Sequence, residues 1–163
     1  MVCAQTYCLR RSTADRRSRV WTNEHTGATT ASADQVFGLF QDVATWPQWN
    51  AGVERMEMDG PFIAGTTGTM MVPGQDPLAF RLVWVEDGHG FEDETELQEA
   101  VVTVRVRHLL EPLPRGGTRI TYRCVIDGPA VDQVGPSLGA AITSDFPDVI
   151  AALAALAEAS AAE

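Results

Sequence analysis

Three polar side chains, Asp93, His108 and Tyr122, occupy positions that a β-strand pattern predicts to be interior. His108 ends a run in which every second residue is valine, and Tyr122 alternates with isoleucine and cysteine. Alternate residues of a strand lie on one face, and burying an unpaired carboxyl or imidazole is costly, so these groups must pair, meet water or meet a ligand. They form a candidate acid/base cluster, in which the carboxylate orients and charges the imidazole and the phenol donates to a developing oxyanion.

The relative position of the three residues follows from matching the apolar faces of neighbouring strands across tight turns. Asp93 is then predicted to lie diagonally across from His108, with Tyr122 directly beside the imidazole. Two structural alternatives stay open, namely a hydrogen-bonded core histidine and a strand bulge that turns Asp93 outward. The same register predicts two further pairs, Val85 with Gly90 and Leu97 with Val102.

The acidic residues beside Asp93 have a simpler interpretation. The register places Arg81 and Arg105 on either side of Glu94, and Arg107 opposite Glu92. Each such cross-strand pair contributes about 0.2–1 kcal/mol. We therefore expect a charge ladder on the outer face of the sheet and no catalytic role for these glutamates.

Seven extended segments, separated by turn residues, must position the cluster. Consecutive hairpins predict an antiparallel sheet, with strands near residues 20–30, 53–58, 67–72, 79–86, 89–98, 101–113 and 118–126.

Three helices are predicted around this sheet. Ser32 and Gln35 form a capping-box pattern that begins a short helix, and a second short helix begins at Thr45. Apolar residues then recur at three- and four-residue steps from Leu138 to Ala157, and Asp145 and Pro147 predict either a kink or a restart with Asp145 as the N-cap. The prediction is one α+β domain, residues 20–163, in which a seven-stranded curved antiparallel sheet wraps a long C-terminal helix around an apolar cavity.

Charge separates this domain from the segment before it. Residues 1–19 contain five arginines and one aspartate, a net charge of +4, within a chain whose formal charge is −10. That segment has no hydrophobic period and is predicted to be a disordered basic extension. The remainder carries −14 and repels phosphate backbones and anionic lipids, so nucleic acid and membrane surfaces are poor partners.

The residue inventory also limits the chemistry. The sequence has no lysine, which excludes Schiff-base chemistry and a P-loop lysine. His25, His89 and His108 lie far apart, and no glycine-rich turn joins a strand to a helix, so neither a metal nor a nucleotide cofactor is expected. Three cysteines, and no apolar stretch near the roughly 20 residues that span a bilayer, predict a cytoplasmic protein without membrane insertion. The sequence leaves monomer and homodimer open.

The cavity wall is predicted from the inward-facing residues of the strands and helices. Each of these residues could equally be ordinary core. The predicted ligand-binding set is Trp46, Trp49, Phe80, Leu82, Trp84, Phe91, Thr95, Val104, Val106, Ile142, Phe146, Ile150 and Leu153.

The order of elements and the motif DVATWPQWN, residues 42–50, resemble the START-like superfamily with the helix-grip fold of the birch-pollen allergen. Residues 20–159 share the resemblance, and within the superfamily the chain is similar to the bacterial polyketide cyclase/dehydrase and lipid-transport group. The tail ITSDFPDVIAALAALAE resembles the closing helix of actinobacterial members.

This resemblance implies a small hydrophobic ligand, polyketide-like or lipid, in an internal cavity. It also implies a cofactor-free aldol cyclisation or dehydration of a polyketide. The alternatives are a non-catalytic carrier or sensor of a hydrophobic metabolite, and a partner-binding co-chaperone-like domain. Related cyclases are thought to direct arginine and tyrosine side chains into the cavity, whereas the arginines of the central strands here are predicted to face outward, namely Arg81, Arg105, Arg107 and Arg123.

Overall fold

The fold is known from a computed structural model, which describes residues 19–160. It is the predicted α+β helix-grip fold, with seven strands, two short helices after the first strand and a helical C-terminal segment. The strands are β1 Val20–Thr29, β2 Arg55–Met58, β3 Thr67–Met71, β4 Leu78–Glu86, β5 Gly90–Leu97, β6 Val102–Pro112 and β7 Thr118–Asp127. The helices are α1 Ala33–Gln41, α2 Trp46–Trp49, α3 Val131–Thr143 and α4 Phe146–Ser160, with a 3-10 turn at Val43–Thr45.

The strands form one antiparallel sheet in the order β1-β7-β6-β5-β4-β3-β2. Hairpins join β2 through β7 in sequence, and the last strand, β7, pairs with β1. In the central strands His108 pairs with Tyr122, and Leu97 pairs with Val102 as predicted. Asp93 pairs with Val106, one position along from His108 on the same face. The predicted diagonal of Asp93 and His108 is therefore present.

The register prediction was wrong at the end of β4. A bulge between Leu82 and Trp84 shifts the pairing, so Val85 faces Phe91 and not Gly90. Because side chains alternate, the extra residue moves Trp84 to the outer face. There Arg107 lies over the Trp84 ring at 5.0 Å from its centroid, so Trp84 is not a cavity-facing residue.

Local hydrogen bonds fix the two short helices. The capping box is formed in both directions, with the Ser32 backbone donating to the Gln35 side chain at 2.8 Å and the Gln35 backbone donating to Ser32 Oγ at 3.3 Å. Trp46 lies buried at the start of α2, and its Nε1 donates to the Phe40 carbonyl at 3.1 Å. This bond attaches α2 to α1 and presents Trp46 to the interior.

The C-terminal helical segment is interrupted at Ser144 and Asp145, and α4 restarts at Phe146 with Asp145 before it, as the sequence predicts. The first part, α3, lies directly on β1. A Cβ at Gly139 would stand 2.3 Å from the Trp21 ring, so only glycine permits this approach. The buried face of α4 includes Ile150 and Leu153, which complete the core.

By length and composition Val131–Ser160 is apolar enough to cross a membrane, with a mean hydropathy of 1.5 in its most apolar window. This corrects the expectation that no segment approaches that length. In the fold the apolar face of these helices is buried against the sheet, as expected for a core helix.

Most of the predicted basic extension, residues 1–18, lies outside the described residues, as do residues 161–163. Arg19 is described, and its Nη1 lies 2.6 Å from Asp132 Oδ2 on α3.

Candidate functional site

A half-open cavity of about 310 Å³ lies between α2, strands β2–β4 with their connecting loops, and the junction of α3 with α4. This volume lies at the small end of the usual range for ligand pockets, about 300–1,000 Å³. Most of its wall is apolar, and its polar groups are few. The wall is formed by Trp46, Asn50, Gly52, Val53, Met56, Met70, Val72, Gln75, Leu78, Phe80, Asp93, Val106, His108, Tyr122, Leu138, Ala141, Ile142, Asp145, Phe146 and Val149.

The cavity contains all three residues of the candidate acid/base cluster and some of the residues predicted to bind ligand, which are Trp46, Phe80, Val106, Ile142 and Phe146. The other inward-facing residues of that set are core residues beside the cavity, namely Trp49, Leu82, Phe91, Thr95, Val104, Ile150 and Leu153. The reason is that α1 and α4 pack directly onto part of the sheet, which leaves space only toward α2 and β2–β4. Trp84 lies on the outer face.

The polar cluster is built on a row of rings that runs across four strands. Phe91, His108, Tyr122 and His25 occupy successive paired positions on β5, β6, β7 and β1. The His108 ring stacks on Phe91 with centroids 4.1 Å apart and meets Tyr122 edge-on at 4.3 Å. Phe146 of α4 covers the row at Tyr122, with centroids 5.5 Å apart. These contacts hold the imidazole and the phenol in place before any ligand arrives.

Asp93 stands beside this row. Its Oδ2 lies 3.7 Å from His108 Nδ1, and its side chain is 20% exposed. Burial, together with the charge of Glu92, raises the pKa of Asp93 from 3.8 to about 7. Burial also lowers the pKa of His108 from 6.5 to about 3, against the opposing effect of the Phe91 and Val106 carbonyls. The pKa of the carboxyl is therefore higher than that of the imidazole, the reverse of their usual order. At neutral pH His108 is neutral, and Asp93 can both release and accept a proton.

Two atoms of the cluster have unused hydrogen-bonding capacity. Within residues 19–160, His108 Nδ1 and the Tyr122 hydroxyl are buried and have no hydrogen-bond partner. Tyr122 is 2% exposed, and burial, together with the charges of Asp93 and Asp145, raises the pKa of its phenol well above 10. Tyr122 therefore remains a protonated donor at every physiological pH. An unsatisfied buried donor on a cavity wall is available to a ligand.

Asp145 is a second carboxyl on the cavity wall, a position that was not predicted from the sequence. Its pattern indicated only an N-cap for α4, and a cap position carries no information about a cavity. Burial raises the pKa of Asp145, and the neighbouring charge of Asp148 adds to this effect. A Cβ at Gly52 would lie 3.1 Å from Asp145 Oδ2 and 3.2 Å from Asn50 Oδ1. Asp145 and Asn50 therefore both lie close to Gly52 on the wall.

The arginines of the central strands point away from the cavity, as predicted. Glu94 accepts from Arg81 Nη2 and from Arg105 Nε, each at 2.8 Å. Arg107 Nε lies 2.6 Å from Glu92 Oε2. The predicted outer charge ladder is confirmed by these pairs. No arginine of residues 19–160 lines the cavity.

A metal site is not evident in the part of the chain that the structure describes, where no three His, Cys, Asp or Glu residues are grouped to hold an ion. Cys124 is a buried free thiol on the inner face of β7.

Sequence comparison matches residues 22–158 to the family model described as "Polyketide cyclase / dehydrase and lipid transport". The chain belongs to this family. The family binds small hydrophobic ligands, which agrees with a mostly apolar cavity. A sequence search of the curated proteins finds no match to this chain.

Solved structures share the fold at low sequence identity. A norcoclaurine synthase point mutant from Thalictrum flavum, in complex with a transition-state analogue, has 16% identity and a TM-score of 0.69, over 86% of this chain and 95% of that one. The di-domain aromatase/cyclase (ARO/CYC) StfQ of the steffimycin biosynthetic pathway has 16% identity and a TM-score of 0.72. That match covers 91% of this chain and 54% of StfQ, about half of the di-domain protein. At these identities the likeness establishes the fold alone.

Proposed function

We propose that this protein binds a polyketide-like carbonyl compound in the cavity and catalyses a cofactor-free aldol cyclisation with dehydration. The observation that carries the proposal is the cluster of Asp93, His108 and Tyr122 on the wall of a mostly apolar cavity. Its carboxyl has a pKa near 7, and two of its polar atoms have no protein partner within residues 19–160. Both unpaired atoms belong to residues that line the cavity, where a ligand can supply the missing partner.

The pKa values assign the proton transfers. Ionised Asp93 removes a proton from the carbon next to a ketone, and the Tyr122 hydroxyl donates a hydrogen bond to the enolate oxygen. The enolate carbon attacks a second carbonyl of the same molecule, and a new carbon–carbon bond closes the ring. Asp93 then returns its proton to the new alkoxide, which gives the aldol. Asp93 next removes the second proton of the same α-carbon and passes it to the new hydroxyl, which leaves as water while the carbon–carbon double bond forms. A group with a pKa near 7 can do both at neutral pH.

His108 is a positioning residue in this scheme. With a pKa of about 3 the imidazole is too weak a base to hold the substrate proton. The register of β5 with β6 keeps Asp93 on the inner face, and stacking on Phe91 fixes the imidazole beside it, with Nδ1 3.7 Å from Asp93 Oδ2. This reverses the expectation from sequence that His108 is the base and Asp93 only orients it.

The test uses an aryl 1,5-diketone, which closes to a cyclohexenone with loss of one water and gains ultraviolet absorbance as the enone forms. We expect turnover by the wild type above the buffer rate. D93N should reduce it to near the buffer rate, because the amide keeps the shape and removes the base. E94Q is the matched control, since it makes the same change one residue away on the outer face. Equal rates for wild type and D93N would refute the proposal.

The second candidate is a non-catalytic carrier of a hydrophobic metabolite, favoured by the mostly apolar wall and its few polar groups. It predicts binding of the diketone without conversion, and equal affinity in wild type and D93N. In either case we propose a cytoplasmic monomer or homodimer that acts without a metal, a nucleotide, nucleic acid or membrane insertion.

A further inference from the structure

The charged groups on the cavity wall all have the same sign. Asp93 and Asp145 line the cavity, and within the described residues no arginine does. Lysine is absent from the whole sequence. His25 lines a separate surface groove with Pro147 and Ala151, outside this cavity. His108, the one histidine on the described wall, is held neutral by burial. No side chain on the described wall therefore supplies a positive charge to either carboxyl.

Tyr122 lines the same cavity as the two carboxyls. In agreement with this placement, burial and then the charges of Asp93 and Asp145 raise the pKa of its phenol. That hydroxyl is buried, belongs to a cavity-lining residue and has no partner among residues 19–160. The aromatic rings of Trp46, Tyr122 and Phe146 also line the cavity. Carboxyls, a free hydroxyl and aromatic rings are together the groups that bind a protonated amine in a desolvated site.

We infer that the cavity binds a ligand with a protonated amine, whose ammonium group pairs with Asp145 while its carbonyl part meets Asp93 and Tyr122. A carboxylate ligand, such as a fatty acid, meets two acidic groups and no cation, and is rejected. The inference rests on the proposed function for the carbonyl part of the ligand. The charge preference itself rests on Asp145, which the proposed acid/base steps do not use.

The test compares three probes with one naphthalene skeleton, namely 2-naphthylethylamine, 2-naphthylethanol and 3-(2-naphthyl)propionate. Binding to the full-length protein is followed by naphthalene fluorescence at low ionic strength. We expect the amine to bind at least about tenfold more tightly than the carboxylate, a difference of about 1.4 kcal/mol, with the alcohol between them.

Two variants locate the preference. In D145N the amine-to-carboxylate affinity ratio should fall at least about fivefold, because the charge is lost while the size of the side chain is kept and asparagine is as well accepted as aspartate at a helix N-terminus. D148N is the matched control, since Asp148 is exposed in the first turn of the same helix. The ratio in D148N should stay within about twofold of wild type. Thermal unfolding of each variant shows that the fold is retained.

The failure of this inference can be told apart from that of the proposed function. Wild-type protein that binds the carboxylate as tightly as the amine overturns the inference, whatever D145N does, and leaves the aldol proposal standing. An equal loss in D145N and D148N overturns the role of Asp145. Failure of all three probes to bind overturns the inference together with the ligand-binding cavity. A clear amine preference without diketone turnover supports the inference and refutes the aldol proposal.

Discussion

Two neighbouring residues of β5 show how the two faces of the sheet differ. Glu94 faces outward between two arginines, and its hydrogen bonds to Arg105 and Arg81 lower its pKa. Asp93 faces inward, and burial raises its pKa to about 7. The outer carboxyl is committed to its cations, whereas the inner one has an imidazole at 3.7 Å and a cavity. Of these two carboxyls, the outer one is paired with arginines and the inner one lines the cavity.

The largest difference between the faces is expected in turnover. D93N should lower kcat on the aryl diketone by about 10² to 10⁴-fold, the range of general acid/base catalysis, while the affinity for the diketone stays within a few-fold. E94Q should change kcat less than about twofold. A similar loss in both variants would mean that Asp93 has no catalytic role that Glu94 lacks.

The next effect is the dependence of stability on pH. The pKa of Asp93 is higher in the folded protein than in the unfolded chain, so the native state holds the extra proton between about pH 4 and 7. The stabilisation from Asp93 is therefore complete below pH 4 and is lost as pH rises through 7. Denaturant unfolding should show wild type losing up to about 4 kcal/mol relative to D93N between pH 4 and pH 8. A difference that is constant with pH would contradict the raised pKa.

Tyr122 separates catalysis from stability on the inner face. Y122F removes a buried hydroxyl that has no partner in the described part of the chain, so the free energy of unfolding should stay the same or rise. Turnover should fall at least about tenfold, because the enolate loses its donor. A loss of stability of about 1 kcal/mol or more, measured by denaturant unfolding, would instead indicate that the hydroxyl is bonded in the native state.

On the outer face we expect a substitution to lower stability and to leave turnover nearly unchanged. E94Q removes the carboxylate that joins Arg81 and Arg105, and its side chain is only 13% exposed. We expect a loss of about 1–2 kcal/mol in the free energy of unfolding at low salt. The loss should shrink as salt screens the pairs, which unfolding at two salt concentrations would test. No loss at low salt would mean that the ladder does not stabilise the sheet.

The smallest effect concerns Trp84, which the bulge places against Arg107. W84F should cost less than about 1 kcal/mol, the contribution of an exposed cation–π contact. The affinities of the naphthalene probes should not change, because Trp84 lies on the outer face. Altered probe binding would show that Trp84 lies on the cavity side, and would contradict the bulge in β4.

The fold and the juxtaposition of the three candidate residues were predictable because they depend on local patterns. Strand alternation places Asp93, His108 and Tyr122 on one face, and hairpin turns bring them together. The bulge at Trp84 was not predictable, since no residue type marks it. The wall residues were only partly predictable, because alternation says which side chains point inward but not whether a helix covers them. Asp145 was read as a helix cap, and its place on the cavity depends on how α4 docks.

The most direct test of the account is the titration of Asp93 itself. Carbon-13 NMR of protein labelled at the aspartate carboxyls follows the ionisation of each aspartate separately, and D93N identifies the signal of Asp93. The account predicts a midpoint near pH 7 for Asp93. A midpoint near pH 4 would show an ordinary, permanently ionised carboxylate, and would contradict the claim that the inner face holds a group able to exchange protons at neutral pH.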